Sequence, residues 1–173
     1  ATGSGKTYSA LRMAEQLDPD FDIDQVCFSG TEFLELVQGN KKKLHAGSVI
    51  VWDELQLSLG HLEFQSLQAR LLNYVLSTFR NKNYILFVTA PYFSMINASV
   101  RKLFHSVIET QSIDMNQKHV KLKPFLLQTN QYSGEVYRKY LRMINNRSVV
   151  PIKSLEVGLP SRQLLKNYEA KKN

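Results

Sequence analysis

Hydrophobic positions along the chain follow two different periods, and together they predict strands that alternate with helices up to about residue 114. Consecutive apolar runs predict buried strands, whereas apolar residues that recur every three or four positions predict amphipathic helices. The predicted strands cover residues 25–28, 49–52, 84–89 and 107–113, and the predicted helices cover residues 8–17, 31–37, 62–80 and 96–104. Strands that alternate with helices imply crossover connections, so we expect an α/β fold with a mostly parallel sheet between helices.

The pattern changes after residue 114. Residues 119–129 and 135–141 are predicted to form two strands joined by a turn at residues 130–134, which is typical of a β-hairpin. We expect either an antiparallel extension of the sheet or a small β-subdomain. Residues 160–172 carry enough apolar side chains for a short amphipathic helix. The predicted organisation is therefore a core over residues 1–114, with a hairpin extension and helical tail over 115–173 on the same domain.

The first residues, ATGSGKTY, fit all but the first position of the phosphate-binding loop GxxxxGKT. In such a loop the backbone N–H groups surround the β-phosphate, Lys6 reaches the β and γ oxygens, and the Thr7 hydroxyl ligates magnesium. The predicted helix that follows points its N-terminal dipole at the anion. The alternative is a flexible Gly/Ser-rich terminus. The predicted nucleotide-binding residues are Thr2, Gly3, Ser4, Gly5, Lys6, Thr7 and Tyr8.

A phosphate-binding loop normally follows a buried strand, but no residue precedes Ala1 in this sequence. We therefore expect that the natural protein begins upstream, and that the first strand of its sheet is missing from the chain.

An acidic pair, Asp53 and Glu54, follows the apolar run Val-Ile-Val-Trp of the second predicted strand. Ligands of open α/β sheets bind at the carboxyl ends of the strands. In phosphate-loop ATPases an aspartate at this place holds the magnesium ion, and a neighbouring glutamate polarises the attacking water. Asp53 and Glu54 match these two roles in order. The alternative for the pair alone is a solvated turn after a strand.

Composition is that of a soluble globular chain, with 43% hydrophobic and 21% charged residues. No apolar stretch reaches the roughly 20 residues of a membrane span. The single cysteine, Cys27, lies in an apolar run; we expect it to be buried, and it excludes an internal disulfide. A cytoplasmic location is the simplest expectation. The net charge of +7 favours polyanionic partners.

Taken together, these motifs resemble the additional-strand, catalytic-glutamate class of P-loop ATPases. Within that class the chain is similar to the FtsK/HerA group, particularly its zonula occludens toxin-like members from phages, viruses and plasmids. The resemblance covers about residues 1–110. It rests on GSGKT, on VIVWDE, on the segment TFRNKNY that leads into ILFVTAP, and on residues 95–104 with Arg101.

The resemblance implies magnesium-dependent ATP hydrolysis. It implies catalytic roles for Lys6 and Glu54, and a role for Arg80 as an arginine finger on the γ-phosphate in a neighbouring subunit. Where the group usually carries a glutamine that senses the γ-phosphate, this chain has Thr89; we expect its hydroxyl to take this catalytic role, although with a shorter reach. The alternative for Arg80 is that it complements the dipole of its own helix; Arg101 is a second finger candidate.

The partners that the resemblance implies are DNA and further copies of the chain in a ring of six, with virion or membrane assembly factors as additional candidates. If the protein is viral, the expected location is the host-cell cytoplasm. The main alternative is a P-loop ATPase that acts on protein, in secretion or virion assembly. A GTPase is a poor match, because Asn81-Lys-Asn83 lacks the aspartate of the guanine motif and precedes a strand. A nucleotide kinase is also a poor match, since no arginine-rich lid is present.

Overall fold

The structure is a computed structural model that describes residues 5–53, 80–96, 98–145 and 147–172. It divides into two compact units. The parallel-sheet unit comprises Lys6–Pro91 and Pro160–Asn173, and the antiparallel-sheet unit comprises Ala1–Gly5 and Tyr92–Leu159. The change of unit at Tyr92 comes earlier along the chain than the boundary predicted after residue 114. The C-terminal residues belong with the first unit and not with the hairpin.

The parallel-sheet unit contains three strands and four helices among its described residues. Its strands run in the order β1-β2-β3, with parallel pairing throughout. In chain order its elements are α1 (Lys6–Leu17), a 3-10 turn (Ile23–Gln25), β1 (Val26–Cys27), α2 (Gly30–Val37), β2 (Val49–Trp52), α3 (Arg80–Lys82), β3 (Ile85–Val88) and, after the other unit, a C-terminal helix (Arg162–Lys172).

The middle strand, β2, explains why this sheet forms. All four of its side chains are buried, as expected for an apolar strand between two parallel neighbours. Trp52 stacks on Phe33 of α2 with ring centroids 4.9 Å apart. On the side of α1, the core also includes Leu11 and Ala14, which lie at helical spacing. The buried stripe of α1 therefore follows directly from the apolar pattern of the sequence.

The antiparallel-sheet unit holds β4 (Ser106–Asp114), β5 (His119–Thr129), β6 (Val136–Asn145), β7 (Ser148–Ile152) and β8 (Leu155–Val157). The first four strands form a meander, and β8 returns to pair with β5. Before β4 come a 3-10 turn (Phe93–Met95) and the short helix α4 (Ala98–Arg101). The C-terminal helix is α5 in the order of the whole chain. No described helix is long and apolar enough to cross a membrane.

The prediction of a mixed α/β fold is confirmed in this coarse form: a three-stranded parallel sheet and a separate antiparallel sheet. The strand predicted at residues 107–113 belongs to the antiparallel sheet, as does the predicted hairpin. Two strands, β7 and β8, were not predicted, because Pro151 and the polar residues around them obscure the alternation. The helix predicted at residues 96–104 is shorter, and most of the helix predicted at 62–80 lies outside the described residues.

Cys27 is buried, as predicted, at the end of β1. Burial raises the pKa of its thiol to about 12, although the nearby Lys171 ammonium acts in the opposite direction. The thiol therefore stays protonated at neutral pH.

Candidate functional site

The carboxyl edge of the parallel sheet carries two of the polar residues that the sequence predicted there, Asp53 and Thr89. Asp53 and Thr89 directly follow β2 and β3, and the strand register places them side by side. The amide of Asp53 donates to the carbonyl of Cys27 at 2.9 Å, and the amide of Thr89 donates to the carbonyl of Trp52 at 3.0 Å. These bonds continue the sheet by one residue, so both side chains are held by rigid backbone.

The Asp53 carboxylate is the centre of this site. It is completely buried, and its Oδ1 accepts two hydroxyl hydrogen bonds, from Thr7 at 2.7 Å and from Thr89 at 2.6 Å. Thr7 lies in the first turn of α1, 46 residues earlier in the chain. The fold therefore brings the threonine of the predicted phosphate-binding loop and the predicted magnesium aspartate into direct contact.

The second oxygen of the same carboxylate is bound by the C-terminal helix α5. Asp53 Oδ2 accepts a hydrogen bond of 2.6 Å from the hydroxyl of Tyr168, whose side chain is 1% exposed. The Lys172 ammonium lies 3.7 Å from Oδ2 and donates to the Tyr168 hydroxyl at 3.0 Å. A buried carboxylate requires such partners, because leaving it unpaired in a dry environment is costly.

The N-terminus of α1 lies at this site through Thr7. Lys6 is the first residue of the helix, and Gly5 before it has a φ of +75°, a conformation that favours glycine. The first N–H groups of a helix have no partner within the helix, and they favour an anion. This arrangement is compatible with phosphate binding after Gly5.

The structure describes only some of the predicted site residues. Thr2, Gly3, Ser4 and Glu54 lie outside the described residues, so their predicted roles stay predictions. Arg80 begins α3, immediately before β3, but its side chain is not described. Tyr8 is described: its hydroxyl donates to Glu169 of α5 at 2.7 Å. This bond raises the pKa of Tyr8 above its usual range, with burial and the charge of Glu169 as further causes.

The oxygen atoms of Asp53 and Thr7 are suitable ligands for a hard divalent cation. Mg²⁺ prefers oxygen ligands, and it is usually bound by one or two carboxylates together with substrate phosphates. The Thr7 hydroxyl and the Asp53 carboxylate offer such oxygens at the end of a helix that can receive the phosphates. The residues present therefore fit a magnesium–nucleotide complex.

A second acidic group, Asp18 with Asp20 and His45, lies at the amino end of β2. Burial favours the neutral form of Asp18, but hydrogen bonds from the Val49 amide, the Gln25 side chain and the Asp20 amide outweigh it and lower its pKa. These bonds give Asp18 a structural role.

An open groove of about 560 Å³ lies between α2, the loop before β2 and the segment before β3, and Asp53 is not among the residues that line it.

The contacts of α5 with Asp53 were not predicted from the sequence. The tail was predicted as a short amphipathic helix because Leu164, Leu165 and Tyr168 recur at helical spacing, but a helical stripe does not specify what it packs on. Leu164 and Tyr168 are indeed buried. The only available signal was that a tyrosine in an otherwise aliphatic stripe carries a hydroxyl that needs a partner when buried.

The fold and site define a mixed α/β protein with a buried carboxylate–hydroxyl cluster at the carboxyl edge of a parallel sheet. Comparison of the chain with models of known families, with curated proteins and with solved structures found no match.

Proposed function

We propose that the chain is the core of a magnesium-dependent P-loop ATPase that moves DNA. The observation that carries the proposal is the 2.7 Å hydrogen bond between Thr7 and Asp53. It joins the two motifs on which the sequence argument depends, although they are 46 residues apart. The parallel order of β1, β2 and β3, with the acidic residue after the middle strand, also suits a P-loop sheet between helices.

Each residue then has a defined task. The amides at the start of α1 and the Lys6 ammonium neutralise the triphosphate, and Thr7 and Asp53 hold the cation. Bound magnesium supplies Lewis-acid stabilisation of the charge on the transferred phosphoryl group. Glu54 orients the attacking water and accepts its proton. Arg80 of an adjacent subunit, in a ring of copies, compensates the developing negative charge.

The distribution of charge supports DNA as the partner. Residues 92–159 of the antiparallel-sheet unit contain ten Lys and Arg against four Asp and Glu, whereas the parallel-sheet unit contains twelve against eleven. Nearly all of the net charge of +7 therefore belongs to the unit that does not contain Asp53. A concentrated positive charge binds phosphate backbones through counterion release.

The strands β5 and β6 present part of this charge beside aromatic rings. Phe125 lies opposite Tyr140, so the two side chains share one face, and alternate residues along each strand share it too. Lys123 Nζ lies 5.1 Å from the Phe125 ring and 5.5 Å from the Tyr140 ring, and Tyr140 is 42% exposed. We call this surface the basic aromatic face; it comprises Lys121, Lys123, Phe125, Arg138, Tyr140 and Arg142.

An ATPase that acts on protein is the alternative, and a different observation favours it. The β6–β7 hairpin exposes three apolar side chains, Met143, Ile144 and Val149. Such side chains are suited to a protein partner.

ATP turnover measured with and without DNA separates the two proposals. We expect Mg²⁺-dependent hydrolysis that saturating single- or double-stranded DNA stimulates. Hydrolysis that DNA leaves unchanged would favour the alternative. The absence of Mg²⁺-dependent hydrolysis both with and without DNA would contradict both.

A Glu54→Gln variant tests the assignment of the catalytic base. It should bind ATP with Mg²⁺ as the parent does, while its turnover falls by at least about 100-fold, because water loses its proton acceptor and the cation ligands stay in place. Binding is measured with a fluorescent ATP analogue and turnover by phosphate release. Glu54→Asp, which keeps a carboxylate on a shorter side chain, is the control and should retain part of the activity. Full turnover in Glu54→Gln would exclude Glu54 as the base.

A further inference from the structure

The helix α5 is attached to the parallel-sheet unit along its whole length. At its start the Ser161 amide donates to Glu15 at 3.1 Å, and near its end the Lys171 ammonium donates to the carbonyl of Ile23 at 3.2 Å. Lys171 also donates to the carbonyl of Val26. These contacts hold the helix at both ends and thereby fix it beside Asp53.

One stripe of this helix faces the site. Leu164, Tyr168 and Lys172 are spaced four residues apart, which places them on the same side of the helix. The Tyr168 ring lies against Phe28 with centroids 5.8 Å apart and meets Tyr8 edge-on at 6.3 Å. The ring is therefore fixed by packing, and the direction of its hydroxyl toward Asp53 is fixed with it.

The Tyr168 hydroxyl links the Lys172 ammonium to the Asp53 carboxylate through two hydrogen bonds. It accepts a hydrogen bond from Lys172 at 3.0 Å and donates one to Asp53 Oδ2 at 2.6 Å. A phenolic hydroxyl that accepts from a cation becomes a stronger donor, because linked hydrogen bonds polarise one another. The carboxylate is thus held on its Oδ2 side by α5, while its Oδ1 side is shared with Thr7.

We propose that Tyr168 is a positioning residue of the magnesium–nucleotide site, and that Lys172 is the cation that balances Asp53 before the metal binds. Tyr168 holds Asp53 Oδ2 so that Oδ1 and the Thr7 hydroxyl stay turned toward the metal. Lys172 lies 3.7 Å from the same carboxylate and competes with the metal for its charge. This inference rests on the proposed function, since it concerns the same carboxylate.

Two substitutions on α5 should have opposite effects. Tyr168→Phe removes only the hydroxyl and leaves the packing of the ring, so Asp53 loses its orientation and Mg²⁺ binding should weaken about tenfold. Lys172→Met removes the competing cation, so Mg²⁺ should bind several times more tightly. Lys171→Met is the control on the same helix. It should leave Mg²⁺ affinity unchanged, because its described hydrogen bonds go to the backbone carbonyls of Ile23 and Val26, and its ammonium lies 5.8 Å from the Phe28 ring and not at Asp53.

The measurement is a calorimetric Mg²⁺ titration with a non-hydrolysable ATP analogue, together with the thermal midpoint at each Mg²⁺ concentration. Opposite shifts for Tyr168→Phe and Lys172→Met support the proposal. If Tyr168→Phe lowers the thermal midpoint but leaves the Mg²⁺ affinity unchanged, Tyr168 is only a packing residue and the proposal is wrong. If the parent chain binds no Mg²⁺–nucleotide, the proposed function fails and the positioning role fails with it.

Discussion

Asp53 shows how much a single buried carboxylate depends on its neighbours. Two threonines share Oδ1, a tyrosine binds Oδ2, and a lysine supplies positive charge. A carboxylate has about four positions at which it can accept a hydrogen bond, so three hydroxyl donors leave few positions open. The position of the carboxylate is therefore set by four side chains from separate elements.

Thr89 allows a test of this network by a nearly isosteric change. Thr89→Val keeps the shape of the buried side chain but removes the hydroxyl that donates to Asp53 Oδ1. Hydrogen bonds to charged groups contribute about 1.5–3 kcal/mol, so we expect the free energy of unfolding to fall by about that amount. Urea denaturation measures it. Thr110→Val on β4 is the matched control and should change stability by less than about 0.5 kcal/mol.

The same variant separates two roles for Thr89. The resemblance to ATPases with a glutamine at this position implies contact with the γ-phosphate, whereas the structure has the hydroxyl donating to Asp53. If the role is to support Asp53, Thr89→Val should weaken Mg²⁺ binding in the presence of an ADP analogue as well as an ATP analogue. A loss confined to the ATP analogue would instead favour contact with the γ-phosphate.

A second buried carboxylate, Asp18, connects three elements of the parallel-sheet unit by hydrogen bonds. It follows α1 and accepts hydrogen bonds from the Val49 amide at 2.9 Å and from the Gln25 side chain at 2.8 Å. One residue thereby links the end of α1 to the start of β2 and to the turn before β1. This explains why a polar residue is buried at the end of an amphipathic helix.

Replacing Asp18 by Asn should loosen these connections. Both carboxylate oxygens of Asp18 accept hydrogen bonds, but asparagine has one oxygen and one NH₂ group. The NH₂ group would therefore lie against an N–H donor, and the free energy of unfolding should fall by about 1–3 kcal/mol. Asp20→Asn, at an exposed neighbouring carboxylate, is the control and should be close to neutral. Thermal or urea unfolding at pH 7 measures the difference. Equal stability of Asp18→Asn and the parent would contradict the structural role.

The pH dependence follows from the direction of the Asp18 pKa. Since the folded pKa lies below the ordinary value of 3.8, the contribution of Asp18 is fully present above that pH and is lost as the pH falls through the folded pKa. The stability difference between the parent and Asp18→Asn should therefore shrink below about pH 4. A difference that stays constant down to pH 2 would show that the Asp18 charge is not involved.

Across the whole molecule, positive charge is distributed unevenly between the two units. The parallel-sheet unit is nearly neutral and carries Asp53, while the antiparallel-sheet unit carries an excess of six positive charges. A motor that hydrolyses a nucleotide in one unit and holds a polyanion with the other would show such a division. The basic aromatic face is the part of the second unit where this can be tested.

DNA binding by this face should depend on both charge and ring stacking. Arg142→Gln should weaken binding to single- and double-stranded DNA alike and reduce the slope of log affinity against log salt by about 1. Tyr140→Ala should weaken single-stranded DNA binding selectively, since only unpaired bases can stack on a tyrosine ring. Fluorescence anisotropy between 50 and 200 mM salt, about the range over which such contacts respond, measures both effects.

The control for these variants is Lys166→Gln, which removes one exposed positive charge from α5 in the other unit. It should leave the salt slope unchanged. If Lys166→Gln and Arg142→Gln weaken DNA binding equally, the interaction depends on overall charge and not on the basic aromatic face.

Local patterns alone determined most of the elements near the site. The apolar run of β2 and the helical spacing of α1 gave both elements within a residue or two, because strands and helices are encoded by contiguous positions. The rule that ligands lie at the carboxyl edge of a parallel sheet then indicated Asp53. The contact between Asp53 and Thr7 agrees with that expectation.

Tertiary structure alone decided what else meets at that carboxylate. Tyr168 lies 115 residues after Asp53, and no local pattern encodes a contact over such a distance. It likewise decided that the strand at residues 106–114 joins the antiparallel sheet, since an apolar strand pattern does not name its partner strand. Sequence specifies which side chains are available and in which element, whereas packing of distant segments determines which of them share one oxygen atom.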